Sequence, residues 1–285
     1  MGVSQRRACH VLGHHRSTHR YRPKENRLKK KLVGRVVALA REQPRSGYRM
    51  IAGQLRQEGW HINDKRVYRI WRQEGLKVPQ KRVKKRRLGS KAGGLGRLCA
   101  ERPNHVWSID FIFDRTSNGK SLKILTVMDE FTRECIALEV HRKFTSDDLV
   151  ELLTDLFAIR GVPAHLRSDN GPEFISKRLR RFLAQANING SLIEPGSPWE
   201  NGFVESFHSR LRDECLACEL FGSLHEARGL IGRWRDYYNH RRPHGSLDGL
   251  TPAVFATRWS ASASVAPLPQ RMLTNPRNLA QTHYS

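Results

Sequence analysis

The chain has 285 residues, enough for two domains or for one with sizeable appendages, and its 38% hydrophobic content suffices for a packed core. Its net charge of +24 is uneven: residues 1–103 hold 29 Lys/Arg against 6 Asp/Glu, a net of +23, while residues 104–285 hold 22 against 21, a net of +1. Such a split points to a polyanionic partner, and nucleic acid is favoured over an acidic membrane because the sequence has no apolar run of 18 residues, no secretory segment and no lipidation signal.

Residues 4–22 predict a short helix, a break at Gly13 and a second short helix capped by Ser17. Leu28, Leu32, Val36 and Leu39 then recur at helical spacing until Pro44. Ser46 is placed to cap a helix whose Ile51 and Leu55 share a face, and Asn63 to cap a third that stops at Gly75. On the third helix Val67, Ile70 and Trp71 form the apolar stripe, and Lys65, Arg69 and Arg72 line another face. A three-helix module with a basic, exposed last helix is how helix-turn-helix proteins read a major groove. Lys65, Arg66, Arg69 and Arg72 are therefore candidates for sequence recognition; a merely solvated basic face is the alternative. The module is expected over residues 1–80, followed by a basic, Gly-rich linker over 81–103 that orders on DNA.

The pattern changes at residue 104. Strands are expected over 105–113, 122–128 and 135–141, with a hairpin turn at Ser117-Asn118-Gly119. A helix capped at Ser146-Asp147-Asp148 runs to about Arg160, Gly161-Val162-Pro163 breaks it, and a short strand ends at Ser168. A helix near 176–186, a strand near 190–194 and helices over 201–218 and 223–239 complete the pattern, which is an α/β mixed sheet. This core with its helical extension spans 104–258, and 259–285 reads as a disordered tail. Cys9, Cys99, Cys135, Cys215 and Cys218 make no even disulfide framework, which fits a reducing cytosol. The Cys215/Cys218 pair lies in a helical pattern and reads as packing, and Cys9 with His10, His14, His15 and His19 reads as cationic surface.

Acids inside the core carry the chemistry. Asp110 sits in the apolar run VWSIDFIF, where a charge is costly unless a counter-charge or a metal meets it. Asp169 ends a strand ahead of the sharp break Asn170-Gly171-Pro172, and Glu205 lies on a helical face opposite Val204, Phe207 and Leu211. Three carboxylates at one sheet edge would suit two Mg²⁺ or Mn²⁺ ions, which activate an attacking oxygen and stabilise a leaving oxygen in phosphoryl transfer. The plainer alternatives are a salt-bridged buried acid, an Asn-Gly turn residue and a helix-surface acid. Glu173 and Glu200 are explained by helix starts, and Asp129 reads as a hairpin-end residue paired with Arg133.

Asp110 in WSIDF, Asp169 in SDNGPEF and Glu205 in PWENGFVESF resemble the DDE triad of bacterial insertion-sequence transposases, whose core is similar to that of retroviral integrases. Thirty-five residues separate Asp169 from Glu205, as in the D-D-35-E class. YNHRRPHGSLDGLTPAVF, residues 238–255, is similar to that family's segment after the core, and GYRMIAGQLRQEGWHINDKRVYRIWRQEGL to its helix-turn-helix region. Glu200 departs from the family, in which Asp usually precedes the Asn. The resemblance implies an RNase H-like core, a downstream-frame (OrfB-type) product and catalysis at Asp110, Asp169 and Glu205 acting as ligands of two Mg²⁺ or Mn²⁺ ions. It also implies element-end and target DNA as substrates, self-association on DNA, an upstream-frame partner or fusion, and a cytoplasmic, nucleoid-associated bacterial protein. Arg241, Arg242 and His244 either contact DNA backbone near that site or form a plain helix-exit cluster. A non-catalytic DNA-binding regulator and a ribonuclease on the same fold are the rival readings.

Overall fold

The computed structural model describes residues 2–22, 27–79, 98–169, 171–192 and 202–263. Two short helices come first, α1 (Gln5–Val11) and α2 (Arg16–Arg20). The cap of α2 is His15, whose Nδ1 accepts the Ser17 N–H, so Ser17 lies inside the helix it was expected to cap. Then α3 (Arg27–Glu42), α4 (Tyr48–Gln57) and α5 (Asp64–Gln73) pack as a three-helix module. Leu32, Val36 and Leu39 of α3, Ile51 and Leu55 of α4, and Val67, Ile70 and Trp71 of α5 form its core. Asn63 caps α5 by accepting the Arg66 N–H at 2.9 Å, and Gly75 (φ +66°) turns the chain away. At α4 the cap position belongs to Gly47, while Ser46 is buried and donates its hydroxyl to Gln43. The expected linker at 81–103 falls outside the described residues as far as residue 97.

Five strands follow: β1 (Val106–Arg115), β2 (Ser121–Asp129), β3 (Cys135–His141), β4 (His165–Ser168) and β5 (Asn189–Leu192). They form one sheet in the order β3-β2-β1-β4-β5. The first three make an antiparallel meander, while β4 lies parallel to β1 and β5 parallel to β4. Helices α6 (Ser146–Arg160) and α7 (Lys177–Gln185) are the crossovers that parallel pairing requires. Thr145 caps α6 and shares a capping box with Asp148. This is the mixed-sheet, RNase H-like architecture expected from the sequence.

Alternation along β1 divides the core. Trp107 and Ile109 face the layer of α6 and α7 with Leu149, Leu153, Leu166 and Leu179. Ile112, with Ile124, Met128 and Leu138, faces the other layer, formed by α8 (Gly202–Leu211) and α9 (Leu224–His240) through Phe207, Leu211, Ile231 and Tyr238. The helix expected over 201–218 stops at Leu211, and a π turn (Arg212–Leu216) follows, burying Cys215 and leaving Cys218 exposed. A last helix, α10 (Pro252–Ala263), was not foreseen. It carries Phe255 and Trp259 onto Phe131, with ring centroids 5.7 and 4.7 Å away, so ordered helix extends past the expected boundary at 259. Among the described residues no helix is long and apolar enough to cross a membrane.

One buried ion pair ties β4 to the turn after β2. Arg167 Nη1 donates to both Glu130 oxygens, at 2.7 and 2.8 Å, with the two side chains 3% and 0% exposed. Removing one member strips the other of its buried counter-charge, at a cost of about 3–5 kcal/mol, whereas replacing both with apolar residues is close to neutral. Glu130→Ala should therefore lower unfolding free energy by about that amount in a denaturant melt, and Glu130→Met/Arg167→Met should recover most of it.

Candidate active site

Strand pairing fixes two of the three carboxylates. Ile109 pairs with Ser168 across the parallel β1–β4 ladder, so one further step in register brings Asp169 beside Asp110. Asp110 is mid-strand, opposite Thr126 of β2, on the side covered by α8. The turn after β4 is shaped around Asp169, whose Oδ1 accepts the Gly171 N–H at 3.0 Å. A Cβ at position 171 would stand only 3.1 Å from that oxygen, which accounts for glycine there. Glu205 comes from the first turn of α8 and is exposed, while Val204, Phe207 and Leu211 of the same helix are buried.

The three acids feel one another. Burial pushes the Asp110 carboxyl up to about 6, and the Asp169 and Glu205 carboxylates push the same way. The Phe111 N–H, at 2.7 Å from Asp110 Oδ1, and the Arg212 guanidinium pull it back down. His208, one turn beyond Glu205, stands with Nδ1 3.6 Å from Asp110 Oδ2 and Nε2 3.0 Å from the Thr126 hydroxyl. Burial, then Arg212, pushes its imidazole down to about 4, so His208 is neutral near pH 7 and gives Asp110 a polar neighbour without a compensating charge. Neither His208 nor Thr126 was identified from the sequence. The signal was present in the three-residue step from Glu205, which puts both side chains on one face of the helix.

The remaining acids are engaged elsewhere. Glu173 pairs with Lys123, whose ammonium also lies 4.1 Å from the Phe111 ring centre. Burial raises the Glu173 carboxyl, but Lys123 outweighs it and the net direction is down. Asp129 is buried and accepts N–H bonds from Asn104, Phe131 and Thr132 at 2.7, 2.7 and 3.1 Å. The expected pairing with Arg133 is present through the backbone, where the Arg133 N–H donates to the Asp129 carbonyl at 3.0 Å; the Arg133 guanidinium lies 3.8 Å from the centre of the Phe203 ring. Glu200 lies outside the described residues.

Of the basic candidates, Lys65, Arg66, Arg69 and Arg72 are all exposed along α5, clear of its buried stripe. Arg241 is exposed as well. Arg242 and His244 are buried. Arg242 donates Nη2 and Nε to Glu214 at 2.7 and 2.9 Å. His244 packs edge-on against Tyr238 with ring centres 4.6 Å apart, and burial, reinforced by Arg242, pushes its imidazole down to about 3. For these two the burial favours the helix-exit role over backbone contact. Cys9, on α1, is buried, whereas His10, His14, His15 and His19 are exposed.

Two family models described as integrase core domain match residues 100–198 and 186–252, and one described as an HTH-like domain matches residues 25–84. The chain is 39% identical over 257 residues to an uncharacterized 39.2 kDa protein of insertion element IS476 from Xanthomonas euvesicatoria, spanning 90% of this chain and 73% of that one. It is 38% identical over 263 residues to an uncharacterized 31.7 kDa protein of insertion element IS407 from Burkholderia multivorans, spanning 92% and 94%. Transposase InsF for insertion sequence IS3A of Escherichia coli is 27% identical over 234 residues, spanning 78% and 81%. Among solved structures, the HTLV-2 integrase catalytic core domain in complex with magnesium is similar over 55% of this chain and 98% of that one, at 20% identity and a TM-score of 0.45. An integrase core, a helix-turn-helix-like module and close identity to insertion-element proteins over nearly the whole chain make one assignment: the chain belongs to the DDE-type transposases of bacterial insertion sequences.

Proposed function

We propose that this transposase binds the ends of its insertion sequence and cuts and joins DNA by phosphoryl transfer at Asp110, Asp169 and Glu205, which hold two Mg²⁺ or Mn²⁺ ions between them. The observation that carries this reading is the convergence of the three acids: the β1–β4 register sets Asp169 beside Asp110, and Glu205 lies one turn before His208, which stands 3.6 Å from Asp110. The Asp169 and Glu205 charges add to burial in raising Asp110. The donors fit such ions: all are carboxylate oxygens, the set that hard divalent cations prefer. Among the described residues no three acid, His or Cys side chains already stand at coordinating distance. When bound, the ions supply activation of the attacking oxygen and charge stabilisation at the leaving oxygen.

The chain's own residues set the geometry. Asp110 is held by the Phe111 N–H on one oxygen and faced by His208 on the other, so its direction is fixed before substrate arrives. Asp169 is oriented by the Gly171 N–H. Glu205 rides on α8, which His208 ties to Thr126 of β2. In the first step water attacks the phosphorus at the element end and the bond to the 3′ oxygen breaks, leaving a 3′-hydroxyl and a 5′-phosphate. In the second step that hydroxyl attacks a target phosphorus, and the target's own 3′ oxygen leaves. Lys65, Arg66, Arg69 and Arg72 on α5, with Arg241, are exposed and would contact DNA, and excess positive charge in the first third supplies attraction to phosphate.

Two expected outcomes test this. Asp110→Asn, Asp169→Asn and Glu205→Gln should each lower divalent-dependent end cleavage and strand transfer by about a hundredfold or more while end binding in a gel shift stays near normal. Glu173→Gln and Glu200→Gln should keep most activity; a dead Glu200→Gln beside an active Glu205→Gln would reassign the third acid.

The second outcome concerns stability. The folded Asp110 carboxyl titrates above its unfolded value of about 3.9, so the native state holds this proton more tightly. The metal-free chain therefore loses stability as pH rises from about 4 to about 6, and above that the penalty is complete, on the order of 3 kcal/mol. Metal-free Asp110→Asn should melt higher than wild type at pH 7.5 and show no such gain at pH 4. A variant that melts lower at pH 7.5 would contradict the electrostatic account.

A further inference from the structure

Buried polar contacts join the N-terminal module to the core. Gln43, just past α3, and Gln54, on α4, meet Tyr237 near the end of α9. Gln54 Nε2 donates to Gln43 Oε1 at 2.6 Å and to the Tyr237 hydroxyl at 2.9 Å, and that hydroxyl donates to Gln43 Oε1 at 2.8 Å. Gln54 is only 5% exposed, so its amide is removed from water; Nε2 is met by these partners, while Oε1 has no partner among the described residues. Next to it, Gly53 lies against Pro243: a Cβ at position 53 would stand 2.8 Å from Pro243 Cγ and 3.0 Å from its Cβ. Arg45, in the turn between α3 and α4, reaches Asp213 at 3.9 Å. Helix α4 and the turn before it thus touch the core at the π turn, at the end of α9 and on the segment after it.

The π turn links this contact to the active site. Its first residue, Arg212, acts on Asp110 and His208 through its charge. Its next two residues meet Arg45 and Arg242. A side-chain network with its amide and phenol buried, beside a glycine where no larger residue fits, specifies one docked position; a loose tether specifies none.

We propose that this contact is a spacer of fixed length, holding the DNA-reading helix α5 at one distance from Asp110, Asp169 and Glu205 and so determining which phosphodiester is cut relative to the sequence bound. It rests on the reading of the core as the cutting site. Tyr237 and residues 238–244, which open the segment similar to the family's, are on this view the seat of the helix-turn-helix module.

Gly53→Ala is the first test variant, because alanine is the better helix former and the module keeps its own fold while the new methyl group meets Pro243. Tyr237→Phe is the second; it removes the hydroxyl that both glutamines meet and introduces no clash. Full-length chains are compared for affinity to end DNA, for the cut position at single-nucleotide resolution with Mg²⁺, and for hydrogen exchange across residues 237–244. Both variants should bind end DNA as wild type does, exchange faster at 237–244 and scatter their cuts, losing about tenfold or more at the wild-type position. The proposal is overturned if both variants cut where wild type cuts, or if end affinity falls as far as cutting does. A wild-type chain that binds its ends but cuts no DNA would instead overturn the reading of the core, and the spacing role with it; the exchange comparison would still decide whether the docked contact exists in solution.

Discussion

A carboxylate in the middle of the central strand is the constraint on which the rest of this structure depends. Asp110 shares its face of β1 with Ile112 and lies under α8, in surroundings that disfavour its charged form. Ordinary core design would put an apolar residue there or meet the acid with a buried cation, as Glu130 is met by Arg167 one strand away. Instead β4 brings a second acid alongside, α8 brings a third, and the nearest ring is a neutral imidazole. Among the described residues, the Phe111 N–H and Arg212 offset the accumulated charge. The arrangement costs folding stability and makes sense as a standing demand for positive charge at a site the fold otherwise holds rigidly.

Much of this was legible in the sequence, for reasons that differ by element. The three long strands announced themselves by alternation and by the Asn118-Gly119 turn, and Asp110 stood out because the residues around it are apolar. The module was legible because Leu32, Val36, Ile51, Leu55, Val67 and Ile70 keep helical spacing. Caps were harder. His15 and Gly47 displaced Ser17 and Ser46, because a ring nitrogen serves as well as a hydroxyl and because the Ser46 hydroxyl is held by Gln43. The π turn left no trace in periodicity, since one extra residue after Leu211 looks like continuing helix. Helix α10 was missed because what stabilises it, Trp259 on Phe131, is a contact between residues more than a hundred positions apart. Arg242 and His244 stayed open between DNA contact and a helix-exit cluster because Glu214 and Tyr238, which pack against them, are distant in sequence or hidden by the turn.

Charge is divided along the chain in a way that suits two incompatible tasks. Phosphate attraction needs cations, and the carboxylate cluster repels phosphate until cations arrive. Placing a net of +23 in residues 1–103 and +1 in the remainder separates the two sources of field. On the function proposed above, separation creates a need for alignment, because recognition and reaction would then fall to different parts of the chain. The buried contact of Gln43, Gln54 and Tyr237, with Gly53 against Pro243, is where the structure supplies it.

The central claim is that the three acids form a site for divalent cations, and the most direct measurement is Mn²⁺ binding followed by electron paramagnetic resonance on the full-length chain. Wild type should take up Mn²⁺ saturably, and more tightly when end DNA is present, with most of that uptake lost in Asp110→Asn. Equal Mn²⁺ binding by wild type and Asp110→Asn, with DNA bound to both, would contradict it.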